Sequence, residues 1–147
     1  MSTEEDRTML VAYGHGPDGD HVLRVAAGLA ARIGATLLVV HVVDIRDEPV
    51  DPDAAAFDED TERAVAGLRT HVDAVLGDLD GPQWTQTVLR GDPVRALSAA
   101  AEEHDVAMIV VGSRGGGAGA ALSRLLEPSV SQGLIRHQHR PVLVVPS

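Results

Sequence analysis

Cysteine is absent from the 147 residues, which excludes disulfides, thiol nucleophiles and zinc–thiolate centres. Aromatic residues are nearly as scarce, at one Phe, one Trp and one Tyr, so the chain lacks the stacking platforms on which single-stranded nucleic acids are held. Cationic residues are outnumbered, 12 against 22 acidic, for a net charge of −10. That balance repels phosphate backbones and anionic bilayers alike, and neither nucleic acid nor membrane is expected as a partner. No apolar run approaches the roughly 20 residues that span a bilayer. The opening Ser2-Thr3-Glu4-Glu5-Asp6 is acidic, the reverse of a secretory signal, so a soluble cytoplasmic protein is expected. Two catalytic signatures are missing as well. There is no Gly-Lys-Ser or Gly-Lys-Thr of a P-loop and no Gly-x-Ser-x-Gly nucleophile elbow, which leaves phosphoryl transfer and serine hydrolysis without their usual machinery.

What is present is an alternation of short apolar runs and helical patterns, in a length that suits one domain over residues 1–147. Residues 8–13, TMLVAY, form an apolar run that reads as a central strand buried on both faces. Asp20 then stands as an N-cap before Val22, Leu23, Ala26, Leu29, Ala30 and Ile33 at helical spacing, with Gly34 as the stop. Residues 36–43, TLLVVHVV, read as a second buried strand. Residues 44–60 carry acidic groups and prolines without period and read as a mobile loop, a solvated connection in preference to a lid. A helix is expected from about Asp58 through Leu68, Val72 and Leu76 to Gly77. Residues 84–89, WTQTVL, alternate as a strand near an edge does, and Asp92 with Pro93 marks a helix start whose buried face is Val94, Leu97, Ala100 and Ala101. That cap accounts for the Arg90-Gly91-Asp92 triplet without an adhesion role.

The stretch 106–146 organises the rest. An apolar run, 106–111, breaks into Gly112-Ser113-Arg114-Gly115-Gly116-Gly117, continues in a helical pattern through Leu125, Leu126, Val130 and Leu134, and closes on a second apolar run, 142–145. Strands joined by a helix of this length lie parallel, and a glycine loop at the carboxyl end of such a strand is where open α/β sheets bind ligands. Glycines there let successive N–H groups turn onto an anion, or simply permit a tight turn. Ser113, Ser129 and Ser131 are candidate hydroxyl contacts to phosphate.

This stretch resembles the C-terminal half of the universal stress protein family, whose pattern is Gly, two residues, Gly, nine residues, then Gly followed by Ser or Thr. Gly112, Ser113, Arg114 and Gly115 match its opening, and residues 122–126, 129–131, 136–137 and 141–145 its continuation. The resemblance covers nearly the whole chain. It implies an open, doubly wound, five-stranded parallel sheet of order 3-2-1-4-5 with helices on both faces, a Rossmann-like arrangement of the adenine nucleotide alpha hydrolase-like kind. It also implies a stress-response protein holding an adenine nucleotide, ATP with magnesium or AMP, in the crevice between strands 1 and 4. The residues carried over to that site are Tyr13, Gly14, His15, Val42, Gly112, Ser113, Arg114, Gly115, Ser129 and Val130. The family further implies a homodimer through the last strand, Val142, Leu143, Val144 and Val145, which is wholly apolar and falls at a sheet edge in that order.

Three departures bear on the ligand. Twelve residues, 116–127, follow Gly115 where the pattern has nine, an insertion of three. Pro128 stands before Ser129, where a bare N–H would be offered, and proline has none to give. Gly14 occupies the position of an aspartate that contacts the adenosine part of the ligand. A nucleotide-free dimeric interaction module of the same fold is therefore the alternative, with slow hydrolysis the most that any turnover would amount to. Last in rank is an enzyme of the dinucleotide class. Gly14, Gly16 and Gly19 spell G-x-G-x-x-G with Asp44 beyond the next strand, but Asp18 would meet the pyrophosphate and the chain has no room for a second half. The imidazoles of His137 and His139 are spaced to chelate a metal in an extended segment, and equally suit a helix C-terminus, which is the favoured reading; no metal is expected.

Overall fold

The computed structural model describes residues 7–14, 17–43, 54–77, 82–113 and 130–146. The long apolar runs become strands: β1 (Thr8–Ala12), β2 (Thr36–Val43), β3 (Trp84–Arg90), β4 (Met108–Gly112) and β5 (Val142–Val145). Between them lie helices α1 (Pro17–Ile33), α2 (Ala54–Leu76), α3 (Pro93–Glu103) and α4 (Val130–His137). All four strand pairings are parallel and the order is β3-β2-β1-β4-β5, the doubly wound arrangement that the resemblance implies. Among the described residues no helix is long and apolar enough to cross a membrane.

Each strand of the sheet interior is buried on both faces because a helical layer covers each. Met9, Val11, Leu37, Val39 and Val110 pack under α1 and α2, against Val22, Leu23, Ala26, Leu68 and Val72. Leu10, Leu38, Val40, Ile109 and Val111 face the other way, toward Leu97, Ala100 and Ala101 of α3 and Leu134 of α4. The period-2 alternation of a strand thus sends neighbouring residues into different cores, and every fully buried strand position is apolar.

The element boundaries follow local chemistry. Helix α3 starts as its sequence predicts: Asp92 is the N-cap in an extended conformation, its carboxylate accepting from the Arg95 N–H at 3.1 Å, with Pro93 next. Helix α1 ends at Gly34 in the left-handed region (φ 72°), where the Ala35 N–H reaches back to the Ala30 carbonyl at 2.8 Å. Asp105 takes the same left-handed conformation after α3 (φ 47°). A side chain there is strained. Arg140 holds the turn, its Nη2 on Asp105 at 3.1 Å and its Nε on the Val106 carbonyl at 3.0 Å.

Two helices start earlier than their patterns suggest. Helix α1 begins at Pro17 instead of after Asp20, because proline is pre-set for a first turn; Asp20 sits inside that turn and is used elsewhere. Helix α2 begins at Ala54, so residues 54–60 are helical and not loop. Ala54, Ala55 and Ala56 are the strongest helix formers available and outweigh the scattered acids. β4 is displaced toward its glycine, Met108–Gly112, since Val106 still donates to the Ala101 carbonyl of α3. Leu125 and Leu126 lie outside the described residues.

Gly19 has an unexpected use. A Cβ at Gly19 would overlap the Gly14 carbonyl oxygen, so the third glycine of the apparent dinucleotide pattern is what allows the first turn of α1 to close onto the end of β1.

Candidate functional site

β1 lies between β2 and β4, in register Val11↔Val39 and Val11↔Val110. The crossover after β1 goes to one face and that after β4 to the other, so the chain diverges beyond their carboxyl ends and leaves a crevice there. Tyr13 and Gly14 form one lip and Gly112 and Ser113 the other. Val42 of β2 and Val130, the first residue of α4, are half-buried against the α3–α4 core. The Ser113 N–H is committed to the Val145 carbonyl at 2.9 Å, which extends the β4–β5 ladder up to the crevice and fixes where the glycine loop departs. His15, Arg114, Gly115 and Ser129 lie outside the described residues. The structure therefore brings Tyr13, Gly14, Gly112 and Ser113 to one end of the sheet, with Val42 and Val130 along its α3–α4 side.

The Tyr13 side chain points away from that side. It is 3% exposed, packed in the α1–α2 core, and its hydroxyl donates to Asp20 Oδ1 at 2.9 Å. The same oxygen accepts from His71 Nε2 of α2 at 2.7 Å. A carboxylate only accepts, so Nε2 carries the proton. His41 of β2 donates from Nδ1 to the Tyr13 carbonyl at 2.9 Å, and the Tyr13 N–H donates to the Val40 carbonyl at 2.8 Å. Tyr13 is thus bound at its amide, its carbonyl and its hydroxyl. The His71 and His41 rings flank the phenol at 5.8 and 6.4 Å between centroids.

Electrostatics follow the contacts. Burial by itself would raise the Asp20 carboxyl, but the hydrogen bonds from His71 and Tyr13 and the charges of His71 and Arg24 outweigh it and hold the group below the ordinary carboxylate value. The Tyr13 phenol is pushed well above its usual range, first by burial and then by its bond to, and the charge of, Asp20. Asp20, His41 and His71 carry no sequence signal as a group, since partners 51 residues apart meet only when α1 and α2 pack side by side.

Two open grooves occur elsewhere, one of about 350 Å³ at Ala30, Gly34, Thr36 and Pro82, the other of about 420 Å³ along β3 and α3 at Thr87, Arg90, Ala96 and His104. Neither touches the carboxyl ends of β1 and β4. Among the described residues no group of three or more His, Asp or Glu side chains is placed to hold a metal ion.

This geometry has clear relatives. The model of the universal stress protein family matches residues 6–146. The chain belongs to the universal stress protein family. It is 35% identical to a universal stress protein of Thermus aquaticus over 95% of this chain and 98% of that one. The fold superposes on the universal stress protein UspA of Lactobacillus plantarum with a TM-score of 0.73 at 20% identity, covering 96% and 98% of the two chains. A universal stress protein in complex with cAMP (TM-score 0.62, 21% identity, 95% and 96% covered) and one from Archaeoglobus fulgidus in complex with dAMP (0.57, 23%, 94% and 96%) share it too.

The Asp20 contacts set an acid limit on the stability of this family member. A carboxyl held low in the folded state contributes stability that is complete above its unfolded value of about 3.9 and is lost as pH falls through the lower folded value. Asp20→Asn is expected to melt below the wild type at neutral pH, with the gap closing below about pH 4. Thermal melts across that range check it, and a gap unchanged at the lowest pH contradicts the assignment.

Proposed function

We infer that this chain is a cytoplasmic stress-response protein that holds an adenine nucleotide, ATP or AMP, beyond the carboxyl ends of β1 and β4. The observation that carries the reading is the side-by-side placement of Tyr13-Gly14 and Gly112-Ser113 where the winding of the sheet reverses. The relatives of this fold in complex with cAMP and dAMP support it. Each lip carries a glycine, Gly14 on one and Gly112 on the other, so the backbone can approach a phosphate there without a Cβ in the way. Gly14 supplies no carboxylate to the adenosine side, and the ligand is held chiefly through its phosphates; with ATP, magnesium would add its charge there. The sequence has no Gly-Lys-Ser or Gly-Lys-Thr of a P-loop, and the chain is read as a binder with at most slow hydrolysis.

Calorimetric titration with ATP and magnesium is expected to give saturable heat, abolished in Gly115→Val, whose side chain closes the glycine loop. No heat from the wild type at millimolar ATP would contradict the reading and leave the interaction module in its place.

That second reading has an observation of its own. β5 is an edge strand, yet Val144 stands 40% exposed on it, between Pro141 and Pro146. An apolar edge of this kind pairs readily with another chain, and a two-fold homodimer would set β5 against its own copy. Light scattering is expected to find a dimer in the wild type and a folded monomer in Val144→Lys, where like charges would oppose each other. A monomeric wild type, or a dimeric lysine variant, would contradict this interface.

A further inference from the structure

The bonds around Tyr13 join the crevice to a helix that takes no part in it. α2 reaches α1 at this end through His71 Nε2 on Asp20 Oδ1, and that oxygen in turn receives the Tyr13 hydroxyl. Next after Tyr13 is Gly14, whose carbonyl is packed so closely on α1 that Gly19 has no space for a Cβ. Little slack remains between the phenol and the lip. We propose that Tyr13, Asp20 and His71 form a positioning relay through which α2 sets the crevice lip at Tyr13-Gly14, so that adenine-nucleotide affinity depends on His71, a residue outside the crevice. The proposal rests on the nucleotide reading above and names its regulation.

The physical case is one of satisfaction. A buried hydroxyl that loses its acceptor is costly, so the phenol follows the carboxylate. Asp20 is 20% exposed and His71 46%, which places the imidazole where a change at the surface of α2 can reach it. The charged and titratable groups facing the relay are Arg24 on α1, beside Asp20, and His41 on β2, whose Nδ1–H holds the Tyr13 carbonyl. Without the His71 N–H, the carboxylate is free to shift toward Arg24, its nearby positive charge, and the phenol, whose acceptor it remains, shifts with it. Three groups bonded in series act as a unit, and their deletions do not add.

Tyr13 is the one tyrosine of the chain, so ultraviolet absorbance reports its ionisation alone. Asp20→Asn is expected to lower the pH at which the phenol ionises by the share owed to the carboxylate, while the larger share owed to burial stays, which verifies the first bond without any nucleotide. ATP affinity by calorimetry is expected to fall about three- to tenfold in His71→Ala. His71→Gln, which restores an N–H donor at the same reach, should recover most of it. Tyr13→Phe should weaken binding by a similar factor, with His71→Ala adding nothing in that background. Circular dichroism melts confirm that each variant is folded, and His71→Gln carries the test if His71→Ala is not. Three results would overturn the relay while the nucleotide reading stands: wild-type affinity in His71→Ala, additive losses in the double variant, or an unmoved phenol in Asp20→Asn. A wild type that gives no heat with ATP overturns both, and is told apart by that alone.

Discussion

Everything in this molecule depends on β1 being paired on both sides by parallel strands. Parallel pairing forbids a hairpin, so each connection must cross a face of the sheet, and right-handedness decides which face. The half before the reversal places α1 and α2 on one side, and the half after it places α3 and α4 on the other. Two cores result, and the strand positions fully buried between them, such as Leu10, Val11, Val39, Ile109 and Val110, are all apolar. The strands leave the sheet at their carboxyl ends, which is where Tyr13, Gly14, Gly112 and Ser113 gather.

The inner strands were legible because burial on two faces writes itself as an apolar run, and β2 coincides with its run; the edge strand β5 coincides with its run as well, though Val144 on it is exposed. The α3 start was legible for a different reason: Asp92-Pro93 is a local signal whose chemistry is complete within four residues. Sheet order was not in the periodicity at all; it came from the resemblance carried by Gly112 to Gly115 and the segments after it. What failed were the boundaries where local signals compete. Asp20 looks like a cap and is a tertiary ligand instead, and the acids of residues 54–60 look like loop although three alanines had already begun α2.

The glycines teach the same lesson. Gly14, Gly16 and Gly19 match a dinucleotide pattern, yet at Gly19 the close approach of the Gly14 carbonyl is sufficient reason for the residue. A motif of this kind reports backbone crowding first and a ligand second. The relay at Tyr13 carries no motif, because a hydrogen bond between Asp20 and His71 is a consequence of helix packing and leaves no trace in spacing. Its position is nonetheless informative: it stands at the carboxyl end of β1, where the winding of the sheet reverses, and it anchors Tyr13 at its amide, carbonyl and hydroxyl.

An adenine nucleotide that enters between the ends of β1 and β4 is located most directly by amide NMR during titration with ATP. The largest shifts are expected at Tyr13, Gly14, Gly112, Ser113 and Val130, with the β3–α3 groove unaffected. Shifts centred on Thr87, Arg90 and His104, or no saturable shift anywhere, would contradict that site.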